Sequence, residues 1–253
     1  IDRIILATTD RPQDDALAEL ADSVGIDCFR GSEDDVVARV CGALKTFNVE
    51  THAEFMGDNS IPDAGVIDHV IDKYFELGES VDYVTNALKT TYPPGLEVSV
   101  YRAATLYDAE SKIVAGDIRE YCGFHIYTHP ERYRIVNLEA PEHERRPHLH
   151  LEVDTEEDFQ VVAAVYRHFG GTTNFTLADV IAFADANPQL FATNARVERR
   201  WTGCVRSRSY ARSWGCPRRG ILCSRGSSHR PPRSRSSPGC WPIGNPTGRR
   251  GPS

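Results

Sequence analysis

Methionine, long apolar runs, paired cysteines and, over the last stretch, acidic residues are scarce in this 253-residue chain, and each shortage removes a class of protein. The one methionine is Met56 and the chain opens on Ile1, so neither a start site nor a secretory leader is readable at its beginning. The longest apolar stretches, IILA at 4–7 and VVAAVY at 161–166, are far shorter than the roughly 20 residues needed to cross a bilayer. A membrane-spanning helix is excluded, and no membrane partner is expected. No two of the seven cysteines make a CxxC pair. Cys28, Cys41 and Cys122 are scattered, which fits reduced cytosolic thiols better than a disulfide framework and predicts a cytoplasmic protein.

Charge divides the chain in two. From Arg199 onward there are 13 Arg and no Lys, Asp or Glu, a charge of +13, whereas the part before it carries −20, giving the overall −7. An acidic body argues against nucleic acid as a partner, because a duplex-binding surface needs clustered cations to release counterions. The segment 199–253 also holds all three tryptophans, four cysteines and many Ser, Pro and Gly, with too few aliphatic side chains to offset its chain entropy. It is expected to be disordered. GC-rich codons read out of frame give such a composition; a genuine arginine-rich arm for RNA or anionic surfaces is the alternative. The folded domain is therefore expected at 1–198.

Within that body, apolar strands alternate with amphipathic helices. Asp2–Thr8 (DRIILAT) reads as a strand buried on both faces. Leu17, Leu20, Ala21 and Val24 follow at helical spacing, with Gly25 as the cap. IDCF and HAEFMG read as strands. Glu33–Phe47 reads as a helix with Val36, Val37, Val40, Cys41 and Leu44 on its stripe, and Asp63–Leu77 as a helix closed by Gly78. Such alternation forces parallel pairing through helical crossovers. After Pro93, Pro94 and Gly95, the segment LEVSVY alternates apolar and polar residues like a half-buried strand, and Tyr133–Leu138 and Leu149–Val153 read as further strands. The last runs into a helix start with Thr155 and Asp158 in capping positions. Two helices, one through Val162 and Tyr166 and one through Val180 and Ile181, complete an α/β fold: a mixed, mainly parallel sheet with helices on both faces.

In such sheets ligands bind beyond the carboxyl ends of the strands. Those positions hold Thr8, Thr9 and Asp10; Arg30 to Asp35; Met56, Gly57 and Asp58; Thr85 and Asn86; and Val153, Asp154 and Thr155. Asp58 follows Gly57, which would let the backbone approach a ligand, and Asp154 ends a strand whose polar face carries His148, His150 and Glu152. Two carboxylates from separate strands at one edge suit a hard cation such as Mg2+. The plainer reading is that Asp154 caps the helix after it and Asp58 starts a turn. A third reading has His148 and His150 gripping a transition metal with Asp154, as in a metal-dependent hydrolase.

The segments ATTDRPQDDALAELADSVGIDCFRGSEDDVVARV, MGDNSIPD, YVTN, TYPPGLEV, RE with THPERYRI, and LEVDTEEDF follow one another over residues 1–198. In that order they resemble the cytidylyltransferases of the spore-coat polysaccharide type, a family similar to the enzymes that activate 3-deoxy-octulosonate and sialic acids. The resemblance implies a Rossmann-like nucleotide-diphospho-sugar transferase fold, with Mg2+ as cofactor held by Asp58 and Asp154 as the catalytic pair. It implies nucleotide contacts from Asp10, Arg30, Gly31, Ser32, Asp35, Arg39 and Gly57, and sugar contacts from Asn86, Tyr92, Gly95, Glu97, Arg119 and Glu120. CTP and a small sugar would be the partners, and a homodimer is an open option. A sugar hydroxyl would attack the α-phosphorus of CTP and expel pyrophosphate, with no side-chain nucleophile.

Two departures accompany the match. The family opens with a strand and a Gly- and Arg-containing loop, ending in a Lys, that wraps the triphosphate, and this sequence begins after it. The family's GD turn continues Cys-Pro-Leu-Ile-Asp, where this chain has Asn59, Ser60, Ile61, Pro62 and Asp63. A sheet without that first strand would have an open edge or a gap. A non-catalytic fragment that binds nucleotide or sugar is therefore the alternative to a working enzyme.

Overall fold

Strand and helix alternate through the first half of the chain because apolar residues change from period 2 to period 3.6 at each turn. The computed structural model describes residues 1–114 and 119–197, so the arginine-rich segment at 199–253 lies outside the described residues. The order is β1 (Ile5–Thr9), α1 (Asp15–Val24), β2 (Asp27–Gly31), α2 (Val36–Thr46), β3 (Thr51–Glu54), α3 (Ala64–Leu77), β4 (Tyr83–Thr85), β5 (Ser99–Arg102) and α4 (Ala103–Glu110). Then come α5 (Phe124–Tyr127), β6 (Ile135–Asn137), α6 (Glu156–His168), α7 (Leu177–Ala186) and α8 (Pro188–Phe191).

Local chemistry sets the boundaries. The Asp35 carboxylate accepts from the Ala38 N–H at the start of α2, and that of Asp63 accepts from the Val66 N–H at the start of α3, both at 2.9 Å. Thr155 and Asp158 form a reciprocal capping box at the head of α6. Gly25, at φ 72°, ends α1 in a left-handed conformation that a residue with a Cβ adopts only at a cost.

The strands form two sheets. β1 pairs with β2 in parallel, and the second sheet runs β3-β5-β4-β6, antiparallel at both β5 ladders and parallel between β4 and β6. The pairing is thus mixed but evenly divided, rather than mainly parallel. The β5 strand makes the difference: it turns back from the Pro-Pro-Gly loop to pair with β4, and so needs no helical crossover. β1 and β3 each use a single edge in these ladders.

Helices cover both faces of the four-stranded sheet. Val84, Val98 and Val100 pack under Val70 and Tyr74 of α3, and each such valine contributes roughly 1.5–3 kcal/mol. On the other face Tyr83 and Tyr101, paired across the ladder, lie under Val37, Cys41 and Leu44 of α2 and Leu106 of α4. Cys41 and Cys122 thus act as packing residues, and Tyr101 is fully buried rather than on a half-exposed strand face. A third core joins Tyr92, Leu96, Leu149 and Leu151 to α6 and α7.

Three expectations change. Of β1 only Thr8 is buried, because β2 is its one partner, so the strand is not covered on both faces. On α1 only Ala21 is buried, while Leu20 and Val24 are 55% and 61% exposed, since two strands offer the helix little surface. Leu149–Val153 is not a strand: it is an extended segment whose bonds include those from the Leu151 N–H to the Pro94 carbonyl at 2.8 Å and from the Val153 N–H to the Asp58 carbonyl at 3.0 Å.

Candidate active site

The last of those bonds builds the site. It ties the turn after β3, which carries Asp58, to the segment that ends in Asp154, although nearly a hundred residues separate them. Burial raises the Asp58 carboxyl above its ordinary range, and the negative charges of Asp154 and then Glu152 raise it further. Asp58 Oδ1 is buried with no hydrogen-bond partner among the described residues.

Glu97 joins the same cluster from the loop before β5. Its carboxyl is pushed up to about 7, first by burial, with Glu152 and Asp58 adding repulsion against the hydrogen bond from the Gly95 N–H at 2.8 Å. Gly95 explains why the two loops can meet. It sits at φ 101°, and a Cβ there would lie 2.5 Å from the Glu152 nitrogen and 2.6 Å from the Leu151 carbonyl carbon. Asn59 closes the arrangement by donating to the Glu97 carbonyl at 3.1 Å.

Asp154 does not cap α6. Thr155 is the N-cap, and the buried Asp158 carboxylate accepts from the Asp154 and Thr155 N–H groups at 3.2 and 3.0 Å. The Asp154 side chain is exposed just before the helix, where the helix dipole favours a negative group. Asn194 donates to the Asp158 carboxylate at 2.8 Å and to the His150 carbonyl at 3.2 Å, and so holds the segment from behind. The sequence gives Asn194 no signal, because its partners lie 36 and 44 residues away.

Four carboxylates, Asp58, Glu97, Glu152 and Asp154, therefore share one edge, and their mutual repulsion is what a cation relieves. Mg2+ fits this donor set: it takes one or two carboxylates and completes its shell with water and phosphate oxygens. A closed transition-metal shell does not fit. His148 is exposed and His150 faces Glu152 at 3.3 Å; among the described residues no three His, Cys, Asp or Glu side chains are grouped to hold a metal, which removes a closed shell of either kind and leaves Mg2+ at most a pair of the carboxylates. The histidine-based hydrolase reading thus loses its geometry.

The cytidylyltransferase family profile matches residues 1–171. The chain belongs to the cytidylyltransferase family. It is 31% identical over 200 residues to the uncharacterized protein MJ1063 of Methanocaldococcus jannaschii, covering 79% of this chain and 80% of that one. It is 30% identical over 188 residues to the spore coat polysaccharide biosynthesis protein SpsF of Bacillus subtilis, covering 74% and 76%. In fold it matches a cytidylyltransferase structure from Leptospira borgpetersenii serovar Hardjo-bovis at a TM-score of 0.71 and 22% identity, over 77% of this chain and 80% of that one. By family this cytidylyltransferase is a nucleotidyltransferase. Among its described residues no helix is long and apolar enough to cross a membrane.

The remaining residues implied by the cytidylyltransferase resemblance fall into a second group around the ends of β1 and β2. Asp10 is exposed, and its N–H bonds the Gly31 carbonyl at 2.9 Å. Ser32 accepts from the Asp35 N–H through its hydroxyl and from Arg39 through its carbonyl, at 3.1 and 2.6 Å. Arg39 packs over Gly31, where a Cβ would meet it at 3.1 Å, and its Nε is buried with no partner among the described residues. Arg30 is committed to the fold: its guanidinium binds the Thr9 and Arg11 carbonyls and Asp15. Asp14, which the sequence did not single out, accepts from the Thr8 and Thr9 hydroxyls at 2.9 and 2.5 Å and fixes the end of β1.

The residues that the resemblance implies for the sugar side take up the following places in the fold. Asn86 is buried, and its amide is used on the Leu96 carbonyl and the Val98 N–H at 2.9 and 2.8 Å, which makes it a clasp of the loop between β4 and β5. Tyr92 is likewise buried, in the core under α6 and α7. Arg119 pairs with Asp35 at 2.7 Å and Glu110 at 3.5 Å, on the α2 side, while Glu120 is exposed. Gly57 needs no special backbone, and a Cβ there would meet nothing within 4 Å.

Proposed function

We propose that this cytidylyltransferase moves a cytidylyl group from CTP to a sugar hydroxyl for surface polysaccharide or glycan synthesis, with Mg2+ held by Asp58 and Asp154. The observation that carries the reading is the buried Asp58 oxygen with no hydrogen-bond partner among the described residues, on a carboxyl that the charge of Asp154 raises, in a cytidylyltransferase fold. The name of the Bacillus subtilis relative supports a sugar acceptor. When bound, the ion neutralises charge on the phosphate oxygens.

The chain's own work is positional. Asp58 and Asp154 fix where the α-phosphate sits, Glu97 and Glu152 keep the pocket negative behind them, and the Gly31–Ser32 turn with Asp10 borders the nucleotide. The sugar oxygen bonds to the α-phosphorus as the bridge to the β-phosphate breaks; pyrophosphate leaves with the electron pair and the hydroxyl proton passes to solvent. Alignment and charge neutralisation are most of what phosphoryl transfer needs.

The test is pyrophosphate release by the full chain across a panel of nucleotides and sugars. Release should require Mg2+, CTP and one sugar class, and Asp58→Asn or Asp154→Asn should lower it by orders of magnitude while circular dichroism stays unchanged. Near-full activity in both variants would remove the assigned roles. CTP binding with no turnover on any sugar would favour the non-catalytic alternative.

A further inference from the structure

A cavity of about 560 Å³ opens where β4 and β6 begin and β5 ends. Three arginines line it: Arg102 at the end of β5, and Arg132 and Arg134 on the loop before β6. It lies at the far end of the sheet from the acidic cluster, because β5 starts at Ser99, two residues after Glu97, and reaches the cavity at Arg102, on the order of 10 Å further on. The volume is that of a small-molecule site.

The charges around it are unevenly matched. Arg134 grips Asp82 through two nitrogens at 2.9 and 2.7 Å, with a further bond from its own N–H at 2.8 Å. Asp108 is held by the Lys112 ammonium and by the Tyr133 hydroxyl at 2.9 Å. These contacts hold both carboxyls below their ordinary range, Asp82 through Arg134 and Asp108 through Lys112 and then Tyr133. Glu79 is the one other acid on the wall, and its carbonyl accepts from Arg134. Among the described residues neither Arg102 nor Arg132 belongs to an ion pair; Arg102 hydrogen-bonds the Tyr74 hydroxyl and acts on Asp82 at longer range, as Arg132 does on Asp108. Both side chains are exposed and line the same hollow. Ala104 and Thr105, in the first turn of α4, form the adjoining wall, and the side chain of the N-cap residue Arg102 does not cap that turn.

We infer that this cavity binds a small phosphate-bearing anion, held between Arg102 and Arg132 at a site separate from the acidic cluster. With Asp82 taken by Arg134 and Asp108 by Lys112, Arg102 and Arg132 face one remaining acid, Glu79, so the hollow keeps a small positive excess in a body whose net charge before Arg199 is −20. A phosphate takes charge-assisted hydrogen bonds from both. Arg134 is already forked onto Asp82, so it shapes the wall and keeps that carboxylate from competing.

The experiment is an isothermal titration of the full chain with inorganic phosphate, with pyrophosphate and with malonate, in EDTA and at constant ionic strength. EDTA keeps the acidic cluster free of metal, so that cluster repels the same anions and cannot supply the signal. Saturable binding of phosphate or pyrophosphate is expected, weakened roughly tenfold or more in Arg102→Ala and in Arg132→Ala, and unchanged in Arg167→Ala on the exposed side of α6. Arg102→Lys, which keeps the charge and loses the fork, should retain part of the affinity. Binding that is equal in all variants, or heat that sodium chloride reproduces, overturns the inference. Tighter binding of malonate than of either phosphate overturns the ligand class.

Discussion

Replacing Glu97 by Gln tests the acidic cluster without touching the residues assigned to the metal. Moving this carboxyl from its ordinary 4.5 to about 7 corresponds to about 3 kcal/mol. Part of the side chain remains accessible, so an effect of roughly 1–2 kcal/mol is the figure to expect after solvent screening. Below pH 4.5 the group is protonated in both folded and unfolded chains, and Glu97→Gln should change little. Between 4.5 and 7 the unfolded chain releases the proton while the folded one keeps it, so stability falls as pH rises. Above 7 the folded carboxylate is ionised beside Glu152 and Asp58, and the loss is complete. Gln carries no charge yet can still accept the Gly95 N–H, so the variant should be more stable than the parent at pH 8 and equal to it near pH 4. Urea denaturation in EDTA at several pH values measures this, and added Mg2+ should narrow the gap. A gap that is constant with pH, or a variant that loses stability as pH rises, refutes a repelling carboxylate cluster.

Gly95→Ala should cost several kcal/mol, because the new methyl must displace the backbone of Leu151 and Glu152 in addition to adopting φ 101°; urea midpoints read the loss, and a change within about 0.5 kcal/mol counts against the close approach. Asn194→Ala removes a donor from the buried Asp158 carboxylate and from the His150 carbonyl, and should destabilise by roughly 2–3 kcal/mol while raising the exchange rate of the Thr155 amide. An unchanged midpoint and exchange rate would show that Asn194 braces nothing.

The helices were readable because each stripe, such as Val66, Val70 and Tyr74, repeats at a period set by the helix itself. Asp58 and Asp154 were readable for a similar reason, since each closes a local pattern of apolar residues followed by a turn. Sheet order was not. Nothing within LEVSVY says that β5 turns back between β3 and β4, and that choice depends on partners far along the chain. The Leu149–Val153 alternation was genuine but selected burial against α6 and α7 rather than a ladder. Glu97 was placed on the sugar side by resemblance, whereas the Gly95 crossing sets it beside Asp58 and Glu152. Asn86 shows the converse, a polar residue at a strand end that serves the loop it stands in.

The crossing at Gly95 has a consequence for affinity. The loop carrying Glu97 and the segment carrying Glu152 and Asp154 touch backbone to backbone and are joined at the Pro94 carbonyl, while the Asp58 carbonyl and the Asn59 amide tie them to the turn after β3. The negative groups are thus fixed relative to one another before anything binds, and the energy of holding them together is met when the chain folds. An arriving cation has little conformational entropy to remove, so the free energy of neutralising the cluster goes into holding the ion rather than into ordering the loops.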